Sequence, residues 1–283
     1  MFLSESAFLR ANELRKKDSA DKYIRDYVDK YKNNINMISV GDCMEFGFFK
    51  LCNSVKPPEL VIKCPIVWQI LDRSDSKLLL LSKQALDWTY YDLSGADKVD
   101  WASSMLRKEL NENYINEWFN TEEQNAICQT QLGATKNFYY GTSSLDRVSD
   151  KLFLLSAEEV LRYFVPSVSK AEDDLRKECE EYSRGVYYNM PNTAMDALTL
   201  FADIDYGGAL KGKIEYDGEI SIENSIWWLR TPGRESGRIV CGYPDGFIYL
   251  DGFYASADEI GLRPAMWIDI ETINMILDGD IQV

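Results

Sequence analysis

The chain contains no histidine. That absence removes Ser-His-Asp and Cys-His catalysis, imidazole general bases and the commonest metal ligand. An enzyme built on this sequence would have to work with carboxylates, Lys, Tyr, Arg or a bare thiol. Cys43, Cys52, Cys64, Cys128, Cys179 and Cys241 include no C-x-x-C pair, so neither zinc nor any other cofactor is indicated. Residues 1–22 lack the charged start, apolar middle and small-residue cleavage site of a secretory leader, which favours free thiols over disulfides. No run approaches the roughly 18 apolar residues that cross a bilayer. The expectation is a cytoplasmic protein with no membrane partner. Basic residues are the minority, 31 Lys and Arg against 46 Asp and Glu, and the net charge of −15 opposes nucleic-acid binding.

What is present is a chain of 283 residues, long enough to bury a full core, with seven Trp, 17 Tyr and 12 Phe. Such aromatic richness suits β-structure. Residues 5–33 are charged, with Phe8, Leu9, Leu14, Tyr23, Ile24, Tyr27, Val28 and Tyr31 partly at helical spacing. They predict a helical extension over residues 1–35 and a candidate face for homo-oligomer assembly, ahead of one domain over 36–283. Strand chemistry begins near Met37, turns at Gly41-Asp42, and resumes as a hairpin from Ile66 through a polar turn to Lys77-Leu78-Leu79-Leu80-Leu81. Ser82 reads as a helix cap. Lys151-Leu152-Phe153-Leu154-Leu155-Ser156 repeats that strand-cap-helix pattern, and Ser156 with Glu159 forms a capping box. Trp101, Met105, Leu106 and Leu110 mark a helix, interrupted at residues 111–113 and resumed at Tyr114, with Thr121 opening another. Residues 170–184 read as helix, and Gly207-Gly208, Gly212 and Gly218 as turns.

An ordered set of motifs carries a family resemblance. It comprises Val40-Gly41-Asp42 with Phe46-Gly47, Pro65-Ile66-Val67-Trp68-Gln69-Ile70-Leu71-Asp72, Trp101-Ala102-Ser103-Ser104-Met105-Leu106-Arg107 with Leu110-Asn111, and Phe153-Leu154-Leu155-Ser156. Trp227-Trp228-Leu229-Arg230-Thr231-Pro232-Gly233 and Leu262-Arg263-Pro264-Ala265-Met266-Trp267 complete it. The set, over about residues 38–270, resembles an uncharacterised bacterial domain family with W-W-L-R-S-P-G and V-R-P-A-L-W signatures. That family is similar to the C-type-lectin-like fold shared with formylglycine-generating enzymes. The resemblance implies an α+β domain of twisted, mostly antiparallel strands with several helices and a loop-rich C-terminal half. It carries over no catalytic residue. The oxidase branch needs two cysteines near the C-terminus, and only Cys241 lies in that half.

Residues 233–259 form the leading candidate surface. Tyr243, Asp245, Tyr249, Asp251, Tyr254 and Asp258 combine rigid rings with carboxylates, a mixture suited to a small polar ligand or a protein partner. The alternative is that Phe247-Ile248-Tyr249-Leu250 is a strand and the Asp-Gly pairs only make turns. Asp245, Asp251, Asp258 and Glu259 are also candidates for calcium, and Asp245 with Asp251 or Glu259 for a glycosidase-like carboxylate pair. Arg230 and Arg263 would suit an anion or an internal acidic partner. Trp227, Trp228 and Trp267 read as core. The sequence thus points to a non-catalytic ligand- or protein-binding module. The alternatives are an enzyme using carboxylates or Cys241, and a structural subunit assembled through its N-terminal helices.

Overall fold

Four consecutive leucines, Leu78 to Leu81, can form a strand only where both sheet faces are covered. A computed structural model, describing residues 38–52, 61–83, 85–96, 98–144, 147–164, 185–187, 211–214, 220–223, 226–243, 247–258 and 260–277, places them in that setting. The expected helical extension over 1–35 and the helix at 170–184 lie outside the described residues, as do Gly207, Gly208 and Gly218. The first strands are β1 (Cys43–Cys52), β2 (Val61–Arg73), β3 (Lys77–Ser82), β4 (Asp87–Trp88), β5 (Thr130–Leu132), β6 (Val148–Asp150) and β7 (Gly185–Tyr187). There follow β8 (Lys211–Ile214), β9 (Ile220–Glu223), β10 (Trp227–Pro232), β11 (Arg238–Gly242), β12 (Phe247–Tyr254), β13 (Gly261–Leu262) and β14 (Ala265–Asp269). Helices are α1 (Met105–Glu109), α2 (Ile115–Trp118), α3 (Thr121–Ala126), α4 (Ala157–Phe164) and α5 (Ile270–Leu277). The domain is therefore mixed α+β. None of its described helices is long and apolar enough to cross a membrane. Gly212, expected in a turn, lies within β8.

One sheet has the order β1-β2-β3-β14, all antiparallel, and holds Trp68, Ile70 and the four leucines in the core. The outer edge of β14 is closed by two isolated bridges, Ile127 to Ile268 and Phe153 to Ala265, which leaves less ladder open to a foreign strand. A bulge in β1 sets two residues, Phe46 and Gly47, against one: Glu45 pairs with Val67 and Phe48 with Pro65. Gly47 has φ 73°, and a Cβ there would lie 2.5 Å from the Phe119 ring, so glycine is what lets the chain after α2 approach. The Phe46 carbonyl accepts from Trp68 Nε1 at 2.6 Å.

The second sheet has the order β4-β13-β10-β11-β12-β7, with β10 and β13 parallel. The chain crosses between sheets twice, after β3 and before β14, and the crossings run side by side. Ser82 N donates to Pro264 O at 2.9 Å, Leu86 N to Leu262 O at 2.7 Å, and Arg263 Nε to Ser82 O at 3.1 Å. Here the sequence reading is corrected. No helix follows Ser82, because the amides it would use are claimed by Val67 and Leu262. The second copy keeps its capping box, with Glu159 N on Ser156 Oγ at 3.1 Å and Ser156 N on Glu159 Oε2 at 2.8 Å. Its leucine run makes one bridge rather than a strand.

Residues 111–113 do not break the helix. They form a π-turn over Leu110–Tyr114 that runs on into α2. Asn111 projects from this turn, its amide donating to Leu152 O at 2.8 Å and its oxygen accepting from Lys151 N and Leu152 N. Trp101 Nε1 (2.8 Å) and the Arg107 guanidinium (2.8–3.0 Å) both bind the buried Asp150 carboxylate. That shared grip accounts for the Trp-x5-Arg spacing. Asp92 receives Met105 N at 2.9 Å and Ser94 N at 2.7 Å, adding a carboxylate at the start of α1 beside its N-cap Ser104.

Asp150→Ala removes an anion from a buried pair and strands Arg107, and should lower stability by about 3–5 kcal/mol in urea unfolding. Burial is the largest influence on Asp92 and raises its pKa, but bonds from Ser94 and Met105, with Lys108, bring it below the ordinary value. A depressed folded pKa gives stability that is complete above the unfolded value of about 3.9 and lost as pH falls through the folded one. Asp92→Asn should therefore destabilise at neutral pH and shrink the loss as pH falls below about 5, read from melting temperature against pH.

Candidate functional site

Strand β11 is the centre of the candidate surface, and its register explains the surface's shape. On one side Trp228 pairs with Cys241 and Pro232 with Ile239, which sets residues 229–231 opposite Val240 alone. On the other, Cys241 pairs with Tyr249 and Ile239 with Phe253, which sets residues 250–252 opposite the same valine. Two bulges thus face one residue from either side. Bulges leave backbone groups without ladder partners, and buried ones must be satisfied elsewhere.

Side chains from residues 135–142 and 238 supply those partners. Thr135 Oγ1 donates to Arg230 O at 3.4 Å, and Thr142 Oγ1 to Gly233 O at 2.5 Å. Asn137, fully buried, donates from one nitrogen to Pro232 O (3.0 Å) and Leu250 O (2.8 Å), joining the two bulged strands. Its oxygen accepts from Tyr139 N and Tyr140 N, both at 3.2 Å, so only one amide orientation serves all four contacts. Arg238 Nη1 takes Gly252 O at 2.8 Å. Gly252 has φ 77°, and a Cβ would stand 2.6 Å from Ile239 O, so the bulge requires glycine.

On this backbone a chain of side-chain contacts winds around the β11–β12 ribbon, with Tyr249 and Phe253 on one side of β12 and Tyr254 on the other. The Tyr243, Tyr249 and Phe253 rings lie 5.4–6.5 Å apart. Tyr249 OH donates to Asp251 Oδ2 at 3.1 Å, and Arg234 reaches the same oxygen at 3.5 Å. Arg234 and Arg238 both hold Glu235 Oε1, at 3.0 and 3.1 Å, and the Arg238 guanidinium lies 4.1 Å over the Tyr254 ring. The hydrogen bond from Arg234 is the main cause holding the Glu235 carboxyl below the ordinary range. Two arginines against Asp251 and Glu235 leave this run electrically balanced in a strongly acidic chain. It presents ring faces, guanidinium donors and carboxylate acceptors. Cys241 beneath it is buried, and desolvation pushes its thiol well up, so it is no ready nucleophile.

Of the residues singled out in sequence, Tyr243, Tyr249, Asp251 and Tyr254 are brought together. Tyr254 is 58% exposed and Asp251 only 3%, its carboxylate held inside the run. Asp245 and Glu259 lie outside the described residues, and Asp258 is exposed on the chain leaving β12. Arg230 is occupied internally: 5% exposed, it binds Glu159 at 2.9 and 2.8 Å through both terminal nitrogens. Arg263 lies 4.7 Å over the Trp227 ring. Trp227 and Trp228 are buried, whereas Trp267 is half-buried. Among the described residues no three His, Cys, Asp or Glu are grouped to hold a metal ion, and Cys43, Cys128 and Cys241 are free thiols. Within residues 233–259, Arg238–Gly242 and Phe247–Tyr254 are strands paired as a β-ribbon. Sequence reasoning missed Arg234, Arg238 and Asn137. The signal for the first two was Gly-Arg-Glu-Ser-Gly-Arg, two cations around one acid in a tight turn.

Asn137→Ala would leave the Pro232 and Leu250 carbonyls buried without donors. It should cost about 2–4 kcal/mol in chemical unfolding, with an unchanged denaturant slope.

No curated protein and no solved structure matches the chain. One family model does, from the β2–β3 turn to the first residue of α5, so that β1 and β2 precede the match. The span takes in the Trp101–Arg107 grip, the Asn137 clamp, both bulges and the paired crossings, and on that evidence the chain belongs to the family described as a domain of unknown function (DUF6273), matched over residues 75–270.

Proposed function

We propose that the protein is a non-catalytic binding module whose β11–β12 ribbon receives a small polar ligand or a short segment of a partner protein. The carrying observation is the charge-balanced run from Tyr243 through Asp251, Arg234 and Arg238 to Tyr254. Rigid rings lose little entropy on binding, and arginines and tyrosines dominate well-packed contact sites. The run's neutrality favours ligands without strong net charge, since a cation would be drawn more broadly to the rest of the surface. We read the domain as C-type-lectin-like. That reading is supported by the ordered sequence motifs, the mostly antiparallel pairing and the C-terminal half of strands joined by loops.

A thermal-shift screen of neutral oligosaccharides and uncharged peptides supplies the ligand, and titration of variants supplies the test. Tyr254→Ala and Tyr243→Ala should each weaken binding about tenfold, some 1.4 kcal/mol, with melting temperature nearly unchanged. Wild-type affinity in both folded variants would remove this face from consideration.

A further inference from the structure

Side chains alternate across a sheet, so Cys43, Gln69 and Leu81, paired across β1, β2 and β3, share one face. Lys83, two residues past Leu81, continues on that face. The backbone fixes both ends of the pair. Ser82 is held by Pro264 O and Arg263, and Lys83 N donates to Val67 O at 2.9 Å. Cys43 follows a turn in which Gly41 N donates to Ile70 O and Ile70 N to Asp42 O. The result places Lys83 Nζ 3.5 Å from Cys43 Sγ. Lysine is among the residues least often buried, yet Lys83 is only 8% exposed. Cys43 is partly exposed, unlike the fully buried Cys241.

The geometry points to a redox modification site: hydrogen peroxide converts the Cys43–Lys83 contact into a covalent sulfur–nitrogen link. In the first step the Cys43 thiolate attacks peroxide, the O–O bond breaks, and sulfenic acid and water form. Sulfur loses two electrons and peroxide gains them. In the second step Lys83 gives up a proton and its lone pair attacks that sulfur. The S–O bond breaks, and the hydroxyl leaves as water with a proton. Thiol, ammonium and one peroxide thus give a sulfenamide, two waters and one proton. The link ties β1 to the crossing after β3, over β2. A thiol reductant reverses it by attacking sulfur, returning the amine and leaving the reductant as its disulfide. Burial raises the Cys43 thiol against the opposing pull of Lys83, so the first step quickens as pH rises.

The test treats the full chain with hydrogen peroxide and maps its peptides by mass spectrometry. The expected product is a Cys43 peptide joined to the Lys83 peptide, about 2 Da lighter than their sum and separated again by dithiothreitol. Lys83→Arg, which keeps the positive charge, should abolish the linked pair and let Cys43 run on to sulfinic acid. Sulfinic acid or a disulfide at Cys43 in the wild-type chain, with no Lys83-linked peptide, would overturn the proposal. Should Lys83→Arg fail to fold, the wild-type map decides alone.

Discussion

A buried carbonyl that loses its ladder partner must find another donor, and this single requirement organises the domain. Four bulges interrupt the described sheets. Three have carbonyls within or beside them bound by a side chain from elsewhere: Trp68 serves the β1 bulge, Thr135 and Asn137 the β10 bulge, Asn137 and Arg238 the β12 bulge. A bulge left unserved would cost on the order of 1–3 kcal/mol per buried group, comparable to much of the margin by which a domain stays folded. The donors are therefore as much part of the sheets as the strands.

The family motifs read differently in this light. Trp101 and Arg107 exist for Asp150, Arg230 for Glu159, Thr231 for the amide of Ala157, and Arg263 for Ser82 and the Trp227 ring. Each motif closes one join between helix and sheet or between the two sheets. Buried ion pairs add little net stability over apolar packing, yet a misjoined chain would leave their charges stranded. The motifs make a scaffold, and the exposed chemistry lies between them.

How much of this was legible in the residues depended on range. The β2–β3 hairpin, the capping box at Ser156 and the core Trp pair rest on local chemistry and could be read directly. The helix expected after Ser82 could not be corrected locally, because its amides are claimed by Val67 and by Leu262, some 175 residues downstream. Asn111 looked like a helix breaker, whereas its side chain answers residues 151–152. Tyr243, Tyr249 and Tyr254 were visible as a cluster because one short stretch carries them. Arg230 was visible only as a cation. Its carboxylate partner lies 71 positions away on α4. Asn137 had no signal at all, since an asparagine before an aromatic pair reads as an ordinary turn residue.

The position of Asn137 under the two bulges has a further consequence for how this domain can change. The outward relief of β11 and β12 is set largely from below, by a carboxamide and by backbone carbonyls, and of the displayed residues Arg238 takes part in it. The side chains of Tyr254, Arg234 and Glu235 bind none of the bulge carbonyls. Such residues can be exchanged as type is exchanged in a fixed frame, so one backbone can be lettered for many different guests.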